Sequence, residues 1–343
     1  MLFERFSDAV SQPRVVRLDR NLYVAAFSIM KLLPARRIVE SALRTGVIRR
    51  GDTVVESSSG NFALGLALVC RDYGLGLEIV TDPAVDARFE NRLRDLGAVV
   101  TKVDAAEFPG SYQRARLACL QATIERIPRA FWSRQYDNPR NAESYELLAQ
   151  LIAAYIGANV TLVATVGSGG SAVGSIRALR KRDPRARLVG VDTFGSVLFG
   201  LPNGARQLRG LGNSIMPGNL DHACFDEVHW IDASTAYAAT RWLHRESGLF
   251  GGPTTGAACW VARWVASARP NDVVIAIGPD DGERYLSTVY DDAWAAHEAG
   301  GQQQLPAAPQ RAKSLAHVTG KDRWTCLIWG RQSIDGLTAQ RVD

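Results

Sequence analysis

Val160-Thr-Leu-Val-Ala-Thr-Val-Gly-Ser-Gly-Gly-Ser171 reads as a buried strand that runs into a glycine-rich turn, with a helix following to Arg182. The run from Val160 to Ala164 has no polar-apolar alternation, which suits a strand covered on both faces of a parallel sheet. The same order recurs on either side. Upstream, Thr53–Glu56 is a strand, Phe62–Arg71 a helix, Leu77–Val80 a strand, a helix runs to Leu96, and Ala98–Val103 is a strand. Helices are expected at Tyr112–Ile127 and Asn141–Ile156. Downstream come a strand at Arg187–Val191, a strand at Glu227–Ile231, helices at Ser234–Glu246 and Ala257–Ala268, and a strand at Asp272–Ile277. Strands separated by helices predict an α/β protein built from parallel βαβ units.

Composition narrows the function classes. Forty basic residues against 35 acidic ones leave a charge of +5, and no basic run is interleaved with aromatics, so nucleic-acid binding is not indicated. No apolar run approaches the ~20 residues of a membrane span. The N-terminus lacks the apolar core of a signal peptide. Five widely spaced cysteines without a CxxC pair suit reduced thiols in the cytoplasm and argue against a structural metal site. Lysine is scarce: only Lys31, Lys102, Lys181, Lys313 and Lys321 occur, so chemistry that needs an amine has five candidates.

Four loops and one lysine stand out. Gly167, Ser168, Gly169, Gly170 and Ser171 open a helix, where backbone amides and the positive end of the helix dipole favour an anion such as phosphate; a plain tight turn is the alternative. Glu56-Ser-Ser-Ser-Gly-Asn61 also joins a strand to a helix. Its hydroxyls and amides suit a carboxylate, although Ser59 or Asn61 read alone is a helix cap. Phe250-Gly-Gly-Pro-Thr-Thr-Gly256 opens another helix, and Gln135-Tyr-Asp-Asn-Pro-Arg-Asn141 read alone is a turn. Lys31 lies in the apolar run Ala25–Pro34. Desolvation there lowers an amine's pKa and opens Schiff-base chemistry; the alternative is a lysine whose head reaches solvent.

Taken in order over roughly residues 10 to 294, these segments resemble the fold-type II pyridoxal-phosphate enzymes related to cysteine synthase. The matching pieces include Gly51–Asn61, Gln135–Pro139, Gly167–Ser171, Gly210-Leu-Gly212, Gly252–Gly256 and Gly282–Leu286. The resemblance implies a tryptophan synthase β-like fold of two three-layer αβα domains. The larger, cofactor-binding one would take residues 1–39 and 146–294, and a smaller mobile one residues 40–145. A tail over 295–343 would be linker-like at first, around Gly300–Gln304. Beyond that, Trp324–Trp329 reads as a strand or a docking segment, with a disordered extension as the simpler alternative for the tail.

The resemblance also assigns roles. Lys31 would hold pyridoxal 5'-phosphate as a Schiff base and move the Cα proton. Gly167–Ser171 would cradle its phosphate, Asn61 would bond its 3'-oxygen, and Thr254 would meet its ring nitrogen. Ser58, Ser59, Gly60 and Gln135 would hold the substrate carboxylate. The implied reaction is β-replacement on an activated L-serine through an aminoacrylate.

Asp192–Gly200, Phe131–Tyr136, Pro279–Leu286 and Val289–Trp294 are similar to the N-(2-amino-2-carboxyethyl)-L-glutamate synthase branch of siderophore pathways. In that branch the nucleophile is the amine of glutamate, with Arg134 or Arg140 as candidates for its extra anionic groups. Small amino-acid substrates and a homodimer follow from the same resemblance. One departure stands out: Phe27-Ser-Ile-Met30 replaces the glycine-rich turn that the family places before its lysine. A sulfur-using cysteine synthase and a non-catalytic binding relative therefore stay open beside the first reading.

Overall fold

The structure, a computed structural model, describes residues 2–83, 85–103, 112–157, 159–298 and 304–334. The stretch 300–303 of the expected linker lies outside the described residues. Twelve strands are described: β1 (Arg14–Arg17), β2 (Leu22–Ala26), β3 (Thr53–Ser57), β4 (Gly76–Thr81), β5 (Ala98–Lys102), β6 (Ala130–Trp132), β7 (Val160–Thr165), β8 (Arg187–Asp192), β9 (Glu227–Ile231), β10 (Val273–Gly278), β11 (Gln310–Arg311) and β12 (Trp324–Ile328).

The chain divides into two compact units, residues 1–12 with 29–144 and residues 13–28 with 145–343. The first holds a four-stranded sheet, ordered β5-β4-β3-β6, in which every pair is parallel. The second holds an eight-stranded sheet ordered β1-β2-β10-β7-β8-β9-β12-β11. Its five central strands run parallel, and β1 and β12 join the two ends of that set antiparallel. The central strand β7 is buried at every position, as its unbroken apolar run predicts.

The N-terminal part of the division differs from the expectation. Residues 1–12 and 29–39 were expected with the larger unit and lie in the smaller one; Arg36 reaches back to the first of these segments through Asp8 and Ser7. Helix Leu32–Arg44 explains this: Leu32, Ala35, Ile38, Val39 and Ala42 share one core with Phe62–Cys70 and with Val54, Leu77 and Ile79 of the smaller sheet. The expected helix over Asn141–Ile156 is two helices, Arg140–Glu143 and Glu146–Ile156, and the unit boundary falls between them. Ser144 Oγ donates to the Asn141 carbonyl at 2.7 Å, a local bond that competes with helix continuation.

The tail is not an extension without structure over its described residues. β12 pairs with β9 in register, Cys326 opposite His229, and Trp324 is buried against Trp264 and His229. Trp324 Nε1–H donates to His229 Nδ1 at 2.9 Å, which leaves Nε2–H to donate to Glu227 Oε1 at 3.0 Å. Glu227, His229 and Cys326 lie close enough to suggest a metal site, but both ring nitrogens are engaged in this way. Trp329 is also fully buried and packs on Phe199 and His222. No helix among the described residues is long and apolar enough to cross a membrane.

Candidate active site

The expected site residues fall into two groups. The smaller unit carries Lys31, Ser58, Ser59, Gly60, Asn61 and Gln135, and the larger carries Gly167–Ser171 and Thr254.

In the smaller unit, Lys31 immediately precedes helix Leu32–Arg44. It is partly buried, and desolvation lowers its ammonium pKa to about 8. Helix Asn61–Tyr73 lies directly against the Lys31–Leu32 backbone at Gly65: a Cβ there would stand 2.9 Å from the Lys31 carbonyl oxygen. Only glycine allows this approach, and it brings the lysine and the helix that starts at Asn61 together. The residue at the cap position of that helix is Gly60, so neither Ser59 nor Asn61 occupies it, contrary to the capping alternative.

The strand β3 delivers the loop that follows, and the Ser58 amide donates to the Val80 carbonyl of β4 at 3.1 Å. Beneath the loop lies the buried carboxylate of Glu56. Burial pushes its pKa up, while bonds from Ser133, Gln135, Ser57 and Trp132 pull it down. Gln135 is itself buried, and its carbonyl accepts from Asn141 Nδ2 at 2.7 Å. The turn before it includes Arg134 at φ +54°, a left-handed conformation.

The two arginines expected near the substrate are engaged elsewhere. Arg140 pairs with Glu143 at 2.6 Å, and Arg134 lies over the Trp132 ring. Arg116 donates to Ser59 Oγ at 3.3 Å and to Asp82 Oδ2 at 2.9 Å, and its Nε is buried with no hydrogen-bond partner among the described residues. Nothing in the local pattern around Arg116 marks it out. It sits on helix Tyr112–Arg126 among other arginines, and only the packing of that helix brings it to Ser59.

In the larger unit, helix Gly170–Arg180 starts behind Gly169, whose φ of +81° is left-handed and whose added Cβ would stand 2.8 Å from the Leu220 Cα. Gly169 at the cap position offers no side chain to the first amides, and a helix start of this kind suits an anion. Ser168 and Ser171 are buried at the same turn. Gly167 is held by its neighbours: its carbonyl accepts from Asn213 Nδ2 at 3.2 Å, and an added Cβ would meet the Gly210 carbonyl at 3.1 Å. Gly210 in turn faces Thr254 Cγ2, at 3.7 Å from its own Cβ position. Thr254 is buried in the first turn of helix Pro253–Ala268, which starts four residues before the expected Ala257. Pro253 occupies the first helical position, where its missing N–H costs nothing.

The donor set fits pyridoxal phosphate. The larger unit offers an uncapped helix start lined by small residues for a dianion, and the smaller offers a desolvated amine for a carbonyl carbon.

Comparison with known proteins agrees. Residues 22–280 match the family model described as "Pyridoxal-phosphate dependent enzyme". The chain is 40% identical over 272 residues to N-(2-amino-2-carboxyethyl)-L-glutamate synthase of Cupriavidus metallidurans, covering 78% of this chain and 80% of that protein. The protein of the same name from Ralstonia nicotianae is 37% identical over 292 residues, covering 83% and 86%. Among solved structures, the O-acetylserine dependent cystathionine β-synthase of Helicobacter pylori superposes with a TM-score of 0.76 at 28% identity, over 84% of this chain and 98% of that one. An O-ureido-L-serine synthase gives 0.76 at 27% identity, over 86% and 100%.

Proposed function

The chain belongs to the pyridoxal-phosphate dependent enzyme family, and from that premise we propose that it catalyses β-replacement on an activated L-serine. The nucleophile in this reading is the amine of an amino acid such as L-glutamate, and the product is a 2,3-diaminopropionate precursor for siderophore or natural-product synthesis. The observation that carries the reading is the packing of Lys31, with its lowered pKa, against the helix that starts at Asn61, so that amine and carboxylate loop belong to one unit.

When bound, pyridoxal phosphate supplies the electron sink for the pair left at the substrate Cα. Lys31 is the residue proposed to hold the cofactor, to accept the Cα proton on Nζ and to return it. Ser58, Ser59, Gly60 and Gln135 are proposed to fix the α-carboxylate, so that the Cα–H bond presents one face to Lys31. The Cβ–O bond of the activated serine then breaks, and the nucleophile's nitrogen forms the new C–N bond. Gly167–Ser171 is proposed to anchor the cofactor phosphate, and Asn61 its ring oxygen. Thr254, a neutral hydroxyl, would meet the ring nitrogen without stabilising its protonated form, which favours loss of a β-substituent over transamination. Arg116, cationic and adjacent to Ser59, suits a further anionic group on the substrate. We also propose that the enzyme acts in the cytoplasm as a homodimer on small amino-acid substrates, the assembly to be read from the molar mass of the purified protein in solution.

The test offers the purified protein O-phosphoserine or O-acetylserine with glutamate or sulfide, and identifies products by mass spectrometry. A C–N-linked product from glutamate is expected. Cysteine from sulfide with no glutamate product would select the second reading, a sulfur nucleophile; the O-acetylserine dependence named for the Helicobacter protein bears on the donor alone. Cofactor uptake with neither product would leave the non-catalytic reading.

A further inference from the structure

Glu56 belongs to no role assigned so far, yet the two segments read as holding the substrate carboxylate both end on it. Its Oε1 accepts from the Ser57 amide at 2.8 Å and from Trp132 Nε1 at 3.3 Å. Its Oε2 accepts from Ser133 Oγ at 2.7 Å and from the Gln135 amide at 3.0 Å. The side chain is 2% exposed, and Ser133 has no exposure at all. Two of the four bonds are to backbone amides, one just before Ser58 and one at Gln135, on segments about 77 residues apart in sequence. A buried carboxylate close to where an anionic substrate is read to bind is unfavourable by Coulomb's law alone. What it supplies instead is a four-donor clamp between two loops.

We propose that Glu56 is a positioning residue, whose carboxylate ties the Ser57–Gly60 loop to the Gln135 backbone and so sets the geometry in which both receive the substrate's α-carboxylate. The inference rests on the reading of Ser58, Ser59 and Gln135 as the carboxylate site. An amide at position 56 keeps the shape but turns one acceptor into a donor. Either the Ser57 side or the Gln135 side then meets a donor facing a donor, and that loop shifts.

The experiment uses the holoenzyme and two amines, O-phosphoserine and O-phosphoethanolamine, which differ by the α-carboxylate. Dissociation constants are read from the change in cofactor absorbance, and melting temperatures are recorded alongside. For Glu56→Gln, binding of O-phosphoserine is expected to weaken about tenfold, the scale of a charge-assisted hydrogen bond lost from a buried group. Binding of O-phosphoethanolamine is expected to stay within about twofold of wild type, as for a change that leaves its own contacts intact. The sign discriminates: removal of a negative charge without loss of positioning would tighten O-phosphoserine. Tighter binding, unchanged binding, or equal weakening of both amines overturns the proposal. Ser133→Ala removes one donor from Oε2 and spares both backbone bonds; it is expected to give the same pattern at smaller amplitude. It decides the matter if Glu56→Gln yields no folded holoenzyme, and equal loss for both amines in it would again reject the role. A wild type that fails to distinguish the two amines removes the carboxylate-site reading itself, and Glu56's role with it. A wild type that distinguishes them beside a Glu56→Gln protein that does so equally well removes Glu56 alone.

Discussion

Lys31 is the residue proposed to carry the chemistry, and its desolvation gives that proposal a pH dependence. A solvated lysine keeps its proton until well above neutral pH, whereas burial brings Lys31 down to about 8. Only the neutral amine attacks a carbonyl carbon. The rate at which the cofactor-free protein captures pyridoxal phosphate should therefore rise with pH and level off above a midpoint near 8; stopped-flow absorbance reads this directly, and a midpoint near that of a free lysine would show that the capturing amine is not desolvated. Mass spectrometry after borohydride reduction should find the cofactor on the Lys31 peptide. In Lys31→Ala that adduct should be absent and turnover should fall by at least ~10²-fold, the scale of a lost proton-transfer group. At Arg116, substitution by alanine should raise KM for an anionic serine donor more than it lowers kcat, since the group is proposed to bind rather than to react. The apolar run around Lys31 announces a desolvated amine in the sequence. Arg116 announces nothing, because 35 of the 40 basic residues are arginine and the contact with Ser59 spans 57 positions.

At the scale of elements, glycines mark where backbone approaches backbone. Gly65 lets helix Asn61–Tyr73 lie against the Lys31–Leu32 peptide. Gly65→Ala should force the two apart, cost about 1–3 kcal/mol of stability by overpacking, and lower cofactor content together with melting temperature. Gly169→Ala combines left-handed strain, roughly 1–2 kcal/mol, with a clash against Leu220. Its damage should concentrate on cofactor retention, measured as phosphate-dependent affinity for pyridoxal phosphate against pyridoxal. Most elements were legible in the sequence because their signals are local. β7, β8, β9 and β10 appear within a residue or so of their expected positions; for β7 and β10 the signal is an unbroken apolar run, which a sheet buried on both faces dictates. The start of helix Pro253–Ala268 was missed because its first turn is read equally well as a ligand loop. β6 has three residues, too few for any periodicity to show.

Over the whole molecule, the C-terminal segment closes the larger sheet. β12 covers the edge of β9, and Asp226 holds the chain beyond it: its carbonyl accepts from the Trp329 and Gly330 amides, and its carboxylate pairs with Arg331 at 2.9 Å and Arg180 at 2.8 Å. Trp324→Ala should cost ~3–5 kcal/mol, the range for removing a buried large side chain. A chain truncated after Pro306 should melt lower and aggregate faster, because an uncovered strand edge templates pairing between molecules; light scattering on heating reads this, and a truncated protein as stable as the full chain would show the segment to be dispensable.

By itself the sequence determined the α/β order of elements, the glycine loops at the strand ends, the short list of five lysines and, through the resemblance, the family. Each is set by backbone sterics, side-chain periodicity or residue chemistry acting across a few neighbouring positions. Tertiary structure alone decided which unit takes helix Leu32–Arg44, that Arg116 rather than Arg134 or Arg140 meets Ser59, that Glu56 gathers four donors, and that the strand Trp324–Ile328 pairs with β9. The Arg116 contact with Ser59, the Ser133 bond to Glu56 and the Trp324 bond to His229 span 57, 77 and 95 residues, and an apolar stripe or an arginine carries no mark of the surface it will meet until the core has packed.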